Sequence, residues 1–484
     1  METLATAVET INENYWYFVI ALLCLAGMWF TIRTGAMQIR WLPEMFRTIT
    51  EKPSDISEGK KGISAFRAFT ISAAARVGSA NVAGVAIAIT VGGPGSVFWM
   101  WVLAILGGAT SFIESALAQL YKVRRRDSYV GGPAYYMRDG LGWKKVAVCF
   151  AVIVTVTYGF IFPTVQANSI AASIDTQFSF EGRAPMFAIG VVLALLTAAV
   201  VFGGVRRLSS VTEIMVPIMA VGYVAVALFV VAINIGEVPG MVGLIVGHAL
   251  GFKEVAGAAL GAAFMQGVRR GLFSNEAGMG SIPNAAATAS VSHPAKQGLV
   301  QSLGVYLDTL VVCSATAFII LLSNPEYGGE AEGISLTQNA LAGQVGDWAI
   351  PFLIVTIFFL AFSSILGSAY IGEVNVRFIR ESDVWVNVFR AIVCVMVVIG
   401  TVSSLELVWN LADLFMGVMA TINLIALIPL AKIGLRLMNN YGAQRKQRLE
   451  PVFSREDIPE ARGVSAWDGT DPITVRTPDP EVKA

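Results

Sequence analysis

The chain has 484 residues, of which 55% are hydrophobic and only 14% charged, far below the ~25% charged content of soluble domains. Apolar runs of about 18 residues or more recur along almost its whole length, which excludes a water-soluble fold and points to an all-α integral membrane protein with many spans. Lysine plus arginine and aspartate plus glutamate balance at 34 each, so net charge singles out no partner; only the placement of the charges is informative.

The opening METLATAVETINEN is acidic and lacks the basic start of a cleaved signal peptide. Residues 1–14 are expected outside the membrane, and the transmembrane domain covers 15–434. An extra first helix at 15–31 is followed by an amphipathic stretch, Met37 to Ile49, with the spacing of a helix lying in the interface. The second segment, Ile63 to Val91, would measure ~42 Å as one helix, longer than the ~30 Å hydrocarbon core. It contains Arg76, Gly78, Ser79 and Asn81 where a lipid-facing helix would hold leucine. The expected structure is a helix broken at Gly78 to Asn81, its freed backbone facing a ligand site; a small-residue packing face is the alternative.

The next segments run from about Gly95 to Tyr121, Val146 to Ala172, Pro185 to Gly203 and Val211 to Ile235. Between the first two of these, Tyr129 to Lys145 has the make-up of a second interfacial piece. The seventh, Val255 to Ser290, is too long for one span and repeats the oddity of the second: Gly271 to Ser281 reads GLFSNEAGMGS. Four more follow, at Gln297 to Leu322, Trp348 to Val376, Val384 to Val402 and Glu406 to Gly434. Residues 439–484 are polar and proline-bearing and are expected to form a flexible cytoplasmic tail.

Basic residues fall in alternate loops, such as Arg33 to Lys61, Lys122 to Lys145, Arg206 and Arg207, Lys296, and Arg377 and Arg380. The opposite loops carry acids, among them Asp175, Glu181, Glu326, Glu330, Glu332 and Asp347, with Arg183 and Lys253 as the exceptions. This bias places the N-terminus outside and the C-terminus in the cytoplasm, which requires an odd number of spans. Eleven satisfies it.

With the first helix set aside, the two interrupted segments are the first and sixth of ten, so they cross in opposite directions. The halves 63–235 and 255–434 read as inverted repeats with the interruptions in matching positions. Free amides at one break suit an anionic group and free carbonyls at the other suit an ammonium or cation, so a zwitterionic amino acid fits. In the ninth segment Ser363 and Ser364 offer neutral oxygens to a hard monovalent cation, or simply bond back to their own helix. Gln166, with Asn168, lies at mid-depth and meets either a neighbouring helix or a ligand. Among the intramembrane charges, Glu114 and Glu373 are placed near loop arginines, and Arg269 or Arg270 is a plausible partner for Glu276 or Asp308, as structural pairs rather than proton carriers. His248 and His293 read as surface residues, and Cys24, Cys149, Cys313 and Cys394 as buried thiols with neither disulfide nor metal site. No metal-ligand pair or nucleophile–base set suggests an enzyme, and no continuous polar stripe suggests a channel.

The runs RVGSANVAGVA, GGPGSVFWMW (Gly92 to Trp101), VGGPAYYM (Val130 to Met137), VQANSI (Val165 to Ile170) and above all GVRRGLFSNEAGMGSIPNAAA (Gly267 to Ala287) resemble the alanine/glycine:cation symporter family. The resemblance extends to about Asn440. It implies a LeuT-type fold of ten core helices arranged as a 5+5 inverted repeat, with two discontinuous helices and one extra N-terminal helix. It also implies Na⁺-driven symport of small neutral amino acids such as alanine and glycine into the cell, with proton coupling as the alternative. By the same resemblance, the backbone of Gly78, Ser79 and Ala80 meets the substrate carboxylate, the carbonyls of Phe273 and Ser274 face the ammonium, and Gln166 borders the pocket together with Asn275 and Ser368. A sodium ion uses the carbonyls of Ala74 and Val77 with Ser363 and Ser364, and Asn81 resembles a ligand of a second cation. Two departures stand out: Ala80 replaces the glycine expected there, and Ser368 stands where the family commonly has tryptophan. The second leaves room for a substrate larger than alanine, such as glutamine. The expected partners are the amino acid and the bilayer of a prokaryotic inner membrane, with no nucleic acid, and the expected state is a monomer.

Overall fold

A computed structural model describes residues 2–52, 55–57, 60–125, 128–252, 257–325, 327 and 333–474. The expected segment start at 255 and the charges Arg126, Lys253, Glu326, Glu330 and Glu332 lie outside the described residues. Helix α1 (Glu2–Arg33) begins thirteen residues before the expected Tyr15, because nothing in the opening run breaks a helix. The expected interfacial helix is two pieces, α2 (Met37–Arg40) and α3 (Leu42–Ile49), divided at Trp41 with Pro43 in the first turn of α3. Met37 and Met45 turn inward while Ile39 and Phe46 stay exposed, as expected of a helix that lies along a surface.

The second segment is broken where the sequence indicates. Helix α4 (Ala65–Arg76) starts on Ser64, whose hydroxyl takes the Arg67 NH at 3.1 Å, and ends before the extended Val77 and Gly78. One 3₁₀ turn, Ser79–Asn81, leads into α5 (Ala83–Gly92), bent 60° from α4. Helix α6 (Gly95–Leu120) follows a turn in which Gly93 has φ +73°. A short helix α7 (Pro133–Tyr135) and a π turn at 136–140 occupy the expected second interfacial piece. The first part of that piece, Tyr129 to Met137, is buried in the bundle, with the Tyr136 hydroxyl bonded to Asn423, while Arg138 to Lys145 stay half-buried or exposed.

Helices α8 (Lys144–Val156) and α9 (Phe162–Phe178) form one path through a π turn at 157–161, and α10 (Ala184–Val201) and α11 (Gly204–Ile233) complete the first half. After α12 (Val238–Leu250) the second half begins with α13 (Gly257–Asn275) and the one-turn α14 (Pro283–Ala286). Then come α15 (Pro294–Tyr306), a π turn at 307–313, α16 (Ser314–Leu321), α17 (Ile334–Val345), α18 (Ala349–Ile379), α19 (Asp383–Val402) and α20 (Leu405–Lys446). Among the described residues nine helices are long and apolar enough to cross a membrane, and the bent pair α4/α5 makes a tenth. Helix α13, at the seventh expected segment, is not among them because Arg269, Arg270 and Asn275 dilute its apolar content.

Helix α6 packs between α13 and α15, while α18 packs on α4, α9 and α19. Phe389 of α19 fills notches at Gly159 and Gly372, where an added Cβ would lie 2.3 and 2.2 Å from its ring. The tail departs from expectation. From Gln447 to Thr474 the chain returns along the bundle, with Phe453 and Trp467 fully buried and Ile458 nearly so. A few large apolar side chains suffice when they dock on an existing surface, at about 1.5–3 kcal/mol each, and average composition conceals them. Cys149 is exposed, contrary to the buried thiols expected, and all four cysteines are free.

Candidate substrate and cation site

Unwinding at the first break releases main-chain groups because three of its helical donors find other acceptors. The Gly78 NH, which would close the turn on Ala74, donates to Asn81 Oδ1 at 2.9 Å. The Ser79 NH, due to Ala75, donates to Gln166 Oε1 at 2.9 Å, and the Ala75 carbonyl accepts from Ser364 Oγ at 2.8 Å instead. The Asn81 NH, due to Val77, turns to Gly78 O at 3.2 Å. The carbonyls of Ala74 and Val77 therefore lose their helical partners, as a cation site requires. Gly78 allows the close approach: a Cβ there would lie 2.8 Å from Ser364 and 2.9 Å from Gln166 Oε1.

The serine pair divides. Ser364 faces α4, whereas Ser363 donates back to Leu360 O at 2.8 Å and lies 3.8 Å from Met219 Sδ. The alternative reading of the pair thus holds for one member. Ser368 and Ser79 are buried, and their hydroxyls have no partner among the described residues. Ala80 is buried in the 3₁₀ turn.

The second break lies later than the glycine run suggests. Gly271 to Asn275 remain helical, and the turn is made by Glu276, Gly278 and Gly280 with φ of +54°, +87° and +80°. Gly271 is tolerated in the helix because Leu103 and Met100 of α6 press against it. Asn275 caps the end, its Oδ1 taking the Ala277 NH at 3.0 Å, and the Gly278 NH donates to Glu114 Oε1 at 3.1 Å. The Phe273 and Ser274 carbonyls consequently sit at an open helix end.

The two breaks are joined. Asn81 Nδ2 donates to Ser274 Oγ at 3.0 Å and to Asp308 Oδ1 at 2.7 Å, and Ser274 Oγ donates to Asp308 Oδ2 at 2.5 Å. The π turn at 307–313 carries Asp308 to this point, and such turns often mark functional sites. Around the junction runs an aromatic ladder: Tyr158 to Phe162 at 4.8 Å, Phe162 to Phe273 at 5.0 Å and Phe273 to Trp409 at 4.9 Å between ring centres.

The buried charges pair otherwise than expected. Arg270 pairs with Asp413 of α20, and Arg269 donates to Asn12 O at 3.1 Å beside the Trp16 ring. Glu276 accepts from Tyr158 OH at 2.8 Å and Ser281 Oγ at 2.5 Å. Glu114 is fully buried and holds Asn423 Nδ2 at 2.9 Å rather than a loop arginine; Glu373 does meet arginines, Arg377 at 3.2 Å and Arg390 at 2.8 Å. Arg76 is buried and donates to Gln301 O at 3.1 Å and Ser111 Oγ at 3.2 Å. His293 is fully buried and caps α15 through Nδ1, so it is no surface residue, whereas His248 is half-buried.

Residues 1–455 match the sodium:alanine symporter family. The chain belongs to that family. It is 48% identical over 469 residues to the amino-acid carrier protein AlsT of Bacillus subtilis, covering 97% of this chain and 99% of the relative. It is 45% identical over 464 residues to the probable sodium/glutamine symporter GlnT of the same species, covering 96% of each. Among solved structures, MhsT in complex with L-phenylalanine superposes with a TM-score of 0.57 at 11% identity, over 84% of this chain and 93% of that one; that likeness establishes the LeuT-type fold.

As a sodium:alanine family symporter the chain is a multi-pass membrane transporter and not an enzyme, with Na⁺ as its coupling ion. Several of the symporter's inner residues escaped the sequence reading. Trp409, Tyr158 and Asn423 stand in ordinary apolar helices, and nothing local sets them apart. Asp413 is a carboxylate inside the segment Glu406 to Gly434, and that charge at membrane depth, like Arg270, is the signal that could have paired the two.

Proposed function

We propose that the symporter moves a small neutral amino acid inward together with Na⁺ by alternating access. The observation that carries this reading is that both breaks release main-chain groups at one place, joined through Asn81, Ser274 and Asp308. The substrate carboxylate takes the amides of Gly78, Ser79 and Ala80, displacing Asn81 Oδ1 from the Gly78 NH and Gln166 Oε1 from the Ser79 NH, which they now occupy. The ammonium takes the carbonyls of Phe273 and Ser274, and Asn275 fixes the helix end that presents them. Sodium uses the carbonyls of Ala74 and Val77 with Ser364; Ser363 contributes only if its hydroxyl leaves Leu360. Asn81 serves a second cation beside Asp308.

A cation bridging α4 and α18 favours the arrangement in which these helices touch, and the zwitterion then draws the two breaks together. Both breaks come from one chain, so a monomer holds a complete site. The lysine and arginine bias of the loops supports an N-terminus outside and a C-terminus in the cytoplasm of a prokaryotic inner membrane. Ser368, buried and unpartnered among the described residues, supports a substrate larger than alanine with a polar side chain, such as glutamine. The test is competition against labelled alanine by all amino acids in proteoliposomes, repeated with choline in place of sodium. Loss of uptake in choline, together with competition by glutamine, is expected. Equal uptake in both salts would overturn sodium coupling, and a Ser368→Trp protein with an unchanged profile would overturn the role of Ser368.

Proton coupling is the second reading. Asp308 favours it, as a buried carboxylate whose hydrogen bonds come from the neutral Asn81, Ser274 and Thr309. Uptake by an Asp308→Asn protein that keeps its sodium dependence but loses its pH dependence would support proton transfer there.

A further inference from the structure

Residues 449–474 lie outside the spans, and those from 456 onward lie beyond the stretch that matches the family. They are nevertheless docked on the basic face of the bundle at several anchors. Glu450 takes Arg47 of α3 at 2.8 Å and Lys296 of α15 at 2.5 Å. The Phe453 NH donates to Ser292 O at 2.9 Å. Trp467 Nε1 donates to Gln119 O at the end of α6 at 3.0 Å, and Asp471 meets Tyr129 and Arg124.

One line of contacts leads from this segment to the broken helices. Lys122 Nζ sits 3.8 Å from the centre of the Tyr129 ring and 4.5 Å from that of Trp467. The same ammonium group donates to Ala289 O at 3.0 Å, and Gln119 Nε2 donates to Ala286 O at 2.5 Å. The next residue, Ser290, donates its NH to Ile63 O at 2.8 Å, just before α4 begins. That bond, part of the bridge that pairs Ile63 with Ala289, ties the ends of the two broken segments on the basic face. Opening this face must part Ile63 from Ser290, and Ala289 is held by a lysine whose other wall is Trp467.

We propose that residues 449–474 form an autoinhibitory strap that holds the basic-face ends of the two broken helices together through Trp467, Lys122 and Ala289. Its effect on uptake rests on the alternating-access reading; its effect on local opening does not.

The test is amide hydrogen exchange on the full-length protein, a chain ending at Leu449, and the Trp467→Ala and Asp471→Asn proteins, with exposed Glu456→Gln as control. In the strap variants exchange at 60–68 and 286–292 is expected to rise about tenfold, equivalent to about 1.4 kcal/mol of local opening, and uptake to rise several-fold. Asp471→Asn keeps the proposal testable if the shortened chain does not fold. No rise at those peptides, a rise spread equally over α18 and α19, or a local rise with no gain in uptake where the full-length protein itself takes up substrate would overturn it. If neither the full-length protein nor any variant takes up substrate while the local rise persists, the transport reading fails and the strap's hold on the two ends stands.

Discussion

At the scale of single residues, the serine pair gives the sharpest test. Ser364 Oγ reaches the Ala75 carbonyl from a neighbouring helix, while Ser363 bonds within its own. Ser364→Ala removes an oxygen from the proposed cation shell, an ion–dipole contact comparable to a hydrogen bond to a charged group, about 1.5–3 kcal/mol. The sodium concentration for half-maximal uptake should therefore rise about tenfold or more, while Ser363→Ala changes it little. Gly78→Ala should act more severely. Its Cβ would fall 2.8 Å from Ser364 and 2.9 Å from Gln166, and overpacking of this kind costs about 1–3 kcal/mol. Sodium titration of uptake checks both. Sequence could mark the pair but not separate its members, because consecutive residues on a helix point about 100° apart and the rotation is set by packing far along the chain.

At the scale of elements, the two breaks differ in how they are made, and this governed how well each could be read. The first places glycine, serine and asparagine inside an apolar run, and Asn81 supplies its own local acceptor for Gly78. The second depends on residues distant in sequence. Glu114 of α6 takes the Gly278 NH, Asn423 of α20 bonds Glu114 and the Gly278 carbonyl, and Tyr158 and Ser281 hold Glu276. Glu114, Asn423 and Tyr158 are not visible in GLFSNEAGMGS, so the glycines at 271 and 278 looked alike although one is helical and the other has φ +87°. Glu114→Ala strands the Gly278 NH in the interior and leaves the Asn423 amide only the Gly278 carbonyl. The loss should be about 3 kcal/mol, read as a lower unfolding temperature of the purified protein. The tail failed for a related reason: its average is polar, and only Phe453, Ile458 and Trp467 decide that it docks.

At the scale of the whole molecule, the docked tail links the basic face to pH. Lys122 is buried with its ammonium group against Tyr129 and Trp467, facing Asp471, Arg124 and Glu51. Burial is the largest influence and lowers its pKa from 10.5 to about 7, with Asp471 opposing, Arg124 adding to the fall and Glu51 opposing. When the tail lifts, the amine regains water and its ordinary value. Between about pH 7 and 10.5 the docked form therefore holds fewer protons than the lifted one, and docking strengthens as pH rises through that window, by up to about tenfold per unit. Below the window the gain is gone. Limited proteolysis within 449–474, corrected for the protease's own pH response, should be faster at about pH 6.5 than at about pH 8.5. Lys122→Met should flatten the difference.

Phe389 has a consequence at the same scale. Its ring is wedged against Gly159 on one side and Gly372 on the other, so α19, α18 and the π turn before α9 are pinned at one point. Ser364 rides on that pinned block, whereas the Ala74 and Val77 carbonyls belong to the short, separately jointed α4 segment. Any swing of α4 away from the block must tear the proposed cation shell in two, so under that proposal departure of the ion and parting of the helices become a single mechanical event.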